Sequence, residues 1–437
     1  MIERTPCCDF HRWVCDSPQR MSFEDFGGLF IYLGHHRGVC YRRSSGMFSQ
    51  RTNWKLSPNK YTQALEEMRS SGKQFFDLTI SNPTQCGLRY DAKAILEAFQ
   101  NPKSLAYEPE AKGLLAARKE VARYYQEDHD VLVDPDSLVL TTSTSEAYSY
   151  VFRLLCNPQD EILVLKPSYP LFDFLGGLQD VTLVPYSLEY AHGWFIDFQS
   201  VLRALTERTR AVLLVHPNNP TGSYVHSEEV QQLNDLCGER NLALIVDEVF
   251  LDYPLADQPR KTFAANQDSL TFTLSGLSKI AALPQMKVAW VSTTGPATLV
   301  RPALDRLEVI ADTYLSLNSP TQWAFPTLFE QRRSLQPQLL DRIRENWRQL
   351  KSLVSGNSSC ELLDTEGGWY AVLRIPGERS DEDLAIELLQ RAHVLVHPGH
   401  FYDFPSDRYF VISLIAPGGD FQQGISCLFE YLQRETI

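Results

Sequence analysis

The hydrophobic pattern alternates between two kinds of segment from about residue 110 onward. Short runs of β-branched residues and leucines are separated by longer stretches in which apolar residues recur every three or four positions. The short runs predict seven strands, at 138–141, 162–165, 182–185, 211–216, 242–247, 270–275 and 288–292. Continuously apolar strands that alternate with helices are typical of a largely parallel sheet covered on both faces.

The longer stretches predict helices at 113–126, 146–155 and 228–237, and two glutamates in the first turn of the last one favour Ser227 as its N-cap. The pattern changes after about residue 320. A long helical stretch at 335–355 is followed by GGWYAVLRI, by a helix that opens with a capping box from Ser380 to Asp383, and by the strand YFVISL. This order of elements predicts a smaller α+β domain.

The chain is therefore expected to be α/β, with a large domain at 91–317 and a small domain formed by 47–90 and 318–437. The boundary carries Asn318, Ser319 and Pro320, and 47–90 has too few elements to fold alone. Residues 1–46 are expected to form a poorly ordered extension. That segment contains four cysteines and three histidines, but their spacing matches no zinc pattern, so we predict no metal site.

Composition and charge argue against nucleic-acid binding, a membrane span and a disulfide-bonded scaffold. With 41 Lys and Arg against 54 Asp and Glu, the formal charge is −13, and no long basic run offers a path for nucleic acid. The longest apolar runs have the length of a strand, so we expect no membrane span. The nine cysteines include no CxxC pair and form no disulfide framework, which favours the reducing cytoplasm.

Polar residues directly after the predicted strands are the first candidates for chemistry, because ligands of open parallel sheets bind outside the carboxyl ends of the strands. Ser143, Thr144 and Ser145 follow the first strand and offer hydroxyls and a helix N-terminus to a phosphate. A helix N-cap without a ligand is the alternative explanation. Asn219 lies in the turn PNNPTG, where two prolines and a glycine fix its orientation, although a tight surface loop has the same composition.

Two ionisable residues complete this set. Asp247 ends an apolar strand, where a carboxylate must be paired, protonated or functional unless the strand end faces solvent. Lys279 follows the strand 270–275 in an apolar neighbourhood, where desolvation would lower its pKa and suit Schiff-base chemistry. A lone lysine there would ordinarily be a surface residue with a buried stem. The occurrence of all four features in this order favours the functional interpretation.

Four motifs together resemble the fold-type-I aminotransferases that use pyridoxal phosphate: Tyr169 in KPSYP, Asn219 in NNPTG, Asp247 in VDEVF and Lys279 in LSGLSK. The resemblance covers about 75–437. It implies that Lys279 forms a Schiff base with the cofactor and carries a proton, and that Asp247 keeps the pyridine nitrogen protonated. It also implies that Asn219 donates to the ring oxygen O3′ and that Tyr169 stacks on the ring.

The resemblance further implies that Ser143, Thr144, Ser145 and Ser278 hold the cofactor phosphate. Tyr107, in YEPEAKG, resembles a tyrosine that reaches the phosphate across a dimer interface, so a homodimer is expected. Lys287 stands where relatives have a phosphate-binding arginine, which keeps the charge and loses the bidentate fork.

Three further departures concern the ring, the phosphate turn and the substrate. Phe250 replaces the usual tyrosine that donates to O3′, and Ser143 replaces a glycine of the phosphate turn. The family's arginine for the substrate α-carboxylate is absent from Phe410-Val411-Ile412-Ser413. Either Arg89 or, as second choice, Arg408 replaces it, or the substrate has no α-carboxylate at that place.

The predicted function is transfer of an amino group from an amino-acid-like donor to a 2-oxo acid. A second hypothesis keeps the cofactor and makes the chain a lyase, cyclase or decarboxylase, because one scaffold serves all these reactions. A third, a cofactor-binding regulatory domain, is disfavoured by the presence of both Asp247 and Lys279 and by the absence of a recognisable DNA-binding segment.

Overall fold

A computed structural model describes residues 47–255, 261–355, 359–406 and 408–435 of the chain. The predicted extension 1–46, with its cysteines and histidines, lies outside the described residues.

The described strands, in chain order, are β1 Phe76–Asp77, β2 Leu138–Thr141, β3 Glu161–Lys166, β4 Thr182–Tyr190, β5 Trp194–Ile196, β6 Thr209–Val215, β7 Ala243–Asp247, β8 Thr271–Gly276, β9 Ala289–Thr294, β10 Glu361–Leu362, β11 Tyr370–Arg374, β12 Val394–Leu395, β13 His397–Pro398 and β14 Tyr409–Ser413. The α-helices are α1 Lys60–Ser70, α2 Ala92–Glu97, α3 Leu115–His129, α4 Thr144–Leu155, α5 Phe172–Leu178, α6 Phe198–Ala204, α7 Ser227–Arg240, α8 Leu277–Ile280, α9 Ala297–Tyr314, α10 Ser319–Glu330, α11 Arg332–Val354, α12 Asp381–Glu387 and α13 Gly418–Glu435.

The large sheet contains eight strands in the order β2-β9-β8-β7-β6-β3-β4-β5. Neighbours from β8 to β4 are parallel, whereas β9 is antiparallel to both β8 and β2. All seven predicted strands are present, and the α/β fold class is confirmed. The predicted count of seven is corrected to eight, because the edge strand β5 pairs antiparallel with β4 over three residues and is too short to show a clear pattern.

Both faces of this sheet are covered, as the apolar strands predicted. Alternate residues of one strand point to opposite faces, and Val212 and Leu214 of β6 pack in one core cluster while Ala211 and Leu213 pack in another. Each fully buried leucine or valine contributes roughly 1.5–3 kcal/mol to folding. The strands are thereby fixed in register, and so are the residues at their carboxyl ends.

The C-terminal part forms a four-stranded antiparallel sheet in the order β10-β11-β14-β13. Residues 60–78 pack against it and its helices: β1 pairs parallel with β12, and the Tyr61 hydroxyl donates to the Val396 carbonyl oxygen at 2.9 Å. The start of the predicted segment 47–90 lies instead on the large domain, where Arg51 pairs with Asp180. Tyr370 of β11 lies opposite Ser413 of β14. This register sets the end of β14 beside the segment after β1.

Helix starts follow the predicted capping with one exception. The backbone N–H of Asp383 donates to Ser380 Oγ at 3.1 Å, as the capping box predicted. Ser227 is the first residue of α7 rather than its N-cap, so that prediction was wrong. The N-cap is His226, because the carboxylate of Glu229 reaches back and accepts from the His226 N–H at 2.7 Å. Within the described ranges, no helix has the length and apolarity needed to cross a membrane.

Candidate active site

Three predicted residues meet at the carboxyl ends of three adjacent parallel strands. Asn219 lies in the turn after β6, Asp247 is the last residue of β7, and Lys279 lies in α8 directly after β8. Val215 of β6 pairs with Asp247, and Asp247 pairs with Leu274 of β8. The sheet register therefore brings the amide, the carboxylate and the amine to one edge.

Six predicted residues line a single cavity at this edge: Thr144, Tyr169, Asn219, Asp247, Ser278 and Lys279. Phe250 lines it as well, at the position where the family has tyrosine. The cavity thus combines one carboxylate, one amine, one amide and three aromatic rings, the third being that of Phe172.

Asp247 is held by two donors. The Tyr148 hydroxyl donates to Oδ2 at 2.8 Å, and the backbone N–H of Val249 donates to Oδ1 at 3.0 Å. Burial raises the pKa of the Asp247 carboxyl to about 6, although these two hydrogen bonds and the charge of Lys279 oppose the shift. Asp247 is therefore a buried, oriented carboxylate whose negative charge calls for a cationic partner.

Lys279 is half-buried in an aromatic environment. Its Nζ lies 4.7 Å from the ring centroid of Trp369 and 5.7 Å from that of Phe250. Burial lowers the pKa of the Lys279 amine to about 8, against the opposing effects of Cys86 and Asp247. With this pKa, roughly a tenth of the amine is uncharged at pH 7, far more than for an ordinary lysine, which suits a nucleophilic or proton-transferring lysine.

The turn that carries Asn219 is fixed from both sides. The neighbouring Asn218 donates through Nδ2 to the Pro167 carbonyl at 3.0 Å and to Thr221 Oγ1 at 2.9 Å. Gly222 has φ +71°, and a Cβ there would lie 2.0 Å from Thr365 Oγ1, so only glycine fits. Asn219 itself is 4% exposed, and its Oδ1 has no hydrogen-bond partner. A buried amide in this state is suited to a ligand in the cavity.

The Ser/Thr turn begins α4. Ser143 is the N-cap, and its Oγ accepts from the Glu146 N–H at 3.2 Å. Thr144 and Ser145 form the first turn of the helix and are half-buried, with Thr144 on the cavity wall. Backbone N–H groups of a first helical turn have no partner within the helix, so this end of the cavity can bind an anion.

Four other predicted residues lie outside the cavity wall. Tyr107 is 79% exposed on the surface near α9. Lys287 is exposed at a left-handed position, φ 53°.

The side chain of Arg89 is exposed, while the backbone N–H and carbonyl of Arg89 both bond to the side chain of Gln338. Arg408 is exposed at the start of β14, beside a surface groove with Arg374 and Glu361.

The sequence predictions missed two residues of the site. Tyr148, the donor to Asp247, lies one helical turn after Thr144 on α4, so the helical period carried a signal for it. Trp369, over Lys279, is separated from that lysine by 90 residues and had no local signal. No cluster of three or more His, Cys, Asp or Glu able to hold a metal occurs in the described ranges.

Comparison with known proteins agrees with this geometry. Residues 73–416 match the family described as aminotransferase class I and II. The glutamate-pyruvate aminotransferase AlaA of Haemophilus influenzae is 25% identical over 373 residues, covering 84% of this chain and 92% of the relative. The alanine aminotransferase of Mycobacterium bovis is 26% identical over 384 residues, covering 85% and 88%.

Among solved structures, an alanine aminotransferase from Pyrococcus furiosus has the same fold with a TM-score of 0.78 at 20% identity, and the match covers 86% of this chain and 96% of that one. A Thermus thermophilus aspartate aminotransferase mutant gives a TM-score of 0.76 at 19% identity, with 88% and 99% covered. The two-part α/β architecture is thus shared over nearly the whole length of these proteins.

Proposed function

Because the chain belongs to the aminotransferase class I and II family and is a transaminase, we propose that it works with pyridoxal 5′-phosphate attached at Lys279. One observation carries the proposal: a desolvated amine, a buried carboxylate and a buried amide whose Oδ1 has no hydrogen-bond partner line the same cavity. A pyridinium nitrogen, a ring oxygen and an amine-reactive carbonyl would engage these three groups, so the residues fit this cofactor.

The cofactor, when bound, supplies an electron sink that stabilises negative charge at the substrate Cα. The chain's residues supply orientation and proton transfer. Asp247 would hold the proton of the ring nitrogen, kept in place by Tyr148 and Val249. Asn219 would donate to the ring oxygen, and Tyr169 would pack on the ring face. The Lys279 amine would move the proton to and from the substrate Cα.

The phosphate would be held by the start of α4, through Ser143, Thr144 and Ser145, and by Ser278. Lys287 and Tyr107 remain predicted phosphate ligands, and the exposure of Tyr107 is consistent with action in a second subunit. We therefore propose a homodimer. The cysteines described by the structure are free thiols, several of them buried, which is consistent with the cytoplasm as the proposed location.

The proposed substrates are an amino acid and a 2-oxo acid. The relatives reported above are all aminotransferases, and two are named for alanine or for glutamate and pyruvate. They support transamination and give no support to a lyase, cyclase, decarboxylase or regulatory role. L-Alanine and L-glutamate are therefore the first donors to test, with Arg89 and Arg408 as the arginines that the sequence predicts for their carboxylate.

A stoichiometric experiment separates these reactions. Purified protein saturated with pyridoxal phosphate is mixed with L-alanine without any 2-oxo acid, and the released pyruvate is measured. A transaminase releases about one pyruvate per site and stops until a 2-oxo acid is added. Continued release of product without an acceptor would mean a lyase, and no release from any donor of a panel would overturn the proposed activity.

A further inference from the structure

The end of β14 carries no cation of its own. Phe410, Val411 and Ile412 are buried, and their strand pairs with the apolar strand β11. Ser413 is engaged with the segment after β1: its N–H donates to the Leu78 carbonyl at 2.7 Å, and its hydroxyl donates to the carbonyl of Ile80. A carboxylate that enters here must find its positive charge on another element.

Arg342 brings a positive charge to this place from the long helix α11. Its Nη1 lies 3.1 Å from the carbonyl oxygen of Cys86, 3.4 Å from that of Ile415 and 3.5 Å from that of Ala416. Ile415 and Ala416 follow β14 directly. The guanidinium therefore lies between the chain that leaves β14 and the segment 81–90.

The charge of Arg342 is uncompensated in the described part of the chain. Two other arginines of this helix have acidic partners: Arg332 pairs with Asp128, and Arg348 pairs with Glu345. Arg342 is half-buried, and its hydrogen bonds are to neutral backbone carbonyls only. These contacts use Nη1, so the Nε and Nη2 donors are left for a planar anion. A partly desolvated cation without a counter-ion favours the binding of one, and the guanidinium fork matches a carboxylate.

Cys86 connects Arg342 with the catalytic lysine. Its side chain is 1% exposed, and burial raises the pKa of its thiol to about 12 while the charges of both Arg342 and Lys279 act in the opposite direction. The same segment contacts the chain just after Lys279, because the Tyr90 hydroxyl donates to the Ala282 carbonyl at 2.9 Å. Arg342 thus contacts the same segment that packs against the chain after Lys279.

We infer that Arg342, reaching in from α11, binds the substrate carboxylate in place of an arginine on β14. The inference rests on the proposed aminotransferase function and assigns its donor to the α-amino acids. It competes with Arg89, whose exposed side chain lies in the same segment, and with a purely structural role for Arg342. Gln338, one turn earlier on α11, provides the matched control, because it also bonds to this segment through a backbone carbonyl, at 3.2 Å from Arg89, but has no charge.

The test compares L-alanine with ethylamine, the same molecule without its carboxylate. Single-turnover k/K is measured for the wild type, Arg342→Gln, Arg342→Lys, Gln338→Ala and Arg89→Ala. Loss of a charged bidentate contact should lower k/K for L-alanine by roughly ten- to a hundredfold in Arg342→Gln, leave ethylamine unchanged, and have a smaller effect in Arg342→Lys. Gln338→Ala should preserve the alanine-to-ethylamine ratio.

Binding gives a readout that does not depend on turnover. Propionate should bind the wild type more tightly than propionamide by calorimetry, and Arg342→Gln should remove the difference. An unchanged alanine-to-ethylamine ratio in Arg342→Gln, or a ratio lost in Arg89→Ala alone, would overturn the inference while leaving the transaminase intact. If Arg342→Gln does not fold, the ratio in Arg342→Met, which removes the charge and keeps a long side chain, decides in the same way. A wild type that reacts with no amino acid of the donor panel would instead overturn the proposed function.

Discussion

The proposed cofactor side of the cavity and its proposed substrate side are assembled in different ways. Asn219, Asp247 and Lys279 lie on consecutive strand ends of one sheet, 28 and 32 residues apart. On the substrate side, Arg342 bonds to Cys86 across 256 residues, and Ser413 bonds to Ile80 across 333. The register of neighbouring strands fixes the positions of the three cofactor-side residues. The substrate-side residues come together only through packing between distant parts of the chain. The cofactor side is accordingly the part that a sequence can reveal.

The largest expected effect is at Lys279. Lys279→Ala removes both the attachment point and the proton carrier, so turnover should fall by about 10⁴-fold or more while the protein still binds pyridoxal phosphate. Borohydride reduction followed by peptide mapping should place a single phosphopyridoxyl group on the Lys279 peptide. Lys287→Ala is the control and should keep the label at Lys279. Labelling at another lysine would show that Lys279 does not bind the cofactor and that the proposed cofactor side is wrongly assigned.

Asp247 comes next. Asp247→Asn keeps the shape and the hydrogen bond from Val249 but removes the negative partner of the ring nitrogen. A charge-assisted bond of roughly 1.5–3 kcal/mol should be lost from cofactor affinity, and turnover should fall further, by about a hundred- to a thousandfold, because the electron sink weakens in the transition state. Titration of the apoprotein and steady-state kinetics measure the two losses. Equal losses would mean that Asp247 only holds the ring.

Tyr148 tests the support behind that carboxylate, with a smaller effect. Burial raises the pKa of Asp247 to about 6, so its ionised form is lost as pH falls through that value, and cofactor affinity should weaken there. Tyr148→Phe removes a donor that stabilises the ionised form, so the midpoint should move to higher pH. Affinity should fall several-fold near pH 6.5 and little at pH 8.

The control for this prediction is Tyr125→Phe, which deletes another buried hydroxyl, one that accepts from Trp290 Nε1 at 3.1 Å. It should leave the pH midpoint of cofactor binding unchanged. A midpoint that stays in place in Tyr148→Phe as well would show that the Val249 N–H alone sets the state of Asp247.

The distinction between local patterns and long-range packing also explains which parts of the fold could be predicted from the sequence. All seven apolar strands and the capping box at Ser380 followed from local patterns, because a buried strand or a helix start is encoded by its own residues. Strand β5 was missed because three residues at an edge carry little pattern. Trp369 and Arg342 were missed because their roles depend on what packs beside them, and no spacing in the sequence records that.

The smallest expected effect is at Phe250, which lies on the boundary between the two sides. Its ring is 3% exposed, lines the cavity and meets Trp369 edge to face at 5.4 Å. Phe250→Tyr adds a hydroxyl that can donate to the cofactor's ring oxygen, which stabilises the state in which the Lys279 nitrogen has lost its proton. The pKa of that nitrogen in the loaded enzyme should fall by about 0.5–1 unit, about 1 kcal/mol, in a spectrophotometric pH titration. Phe172→Tyr, the same change on the Tyr169 side of the cavity, should leave it unshifted. An unchanged or raised pKa in Phe250→Tyr would show that residue 250 does not face the ring oxygen and belongs with Trp369 to the wall around the lysine.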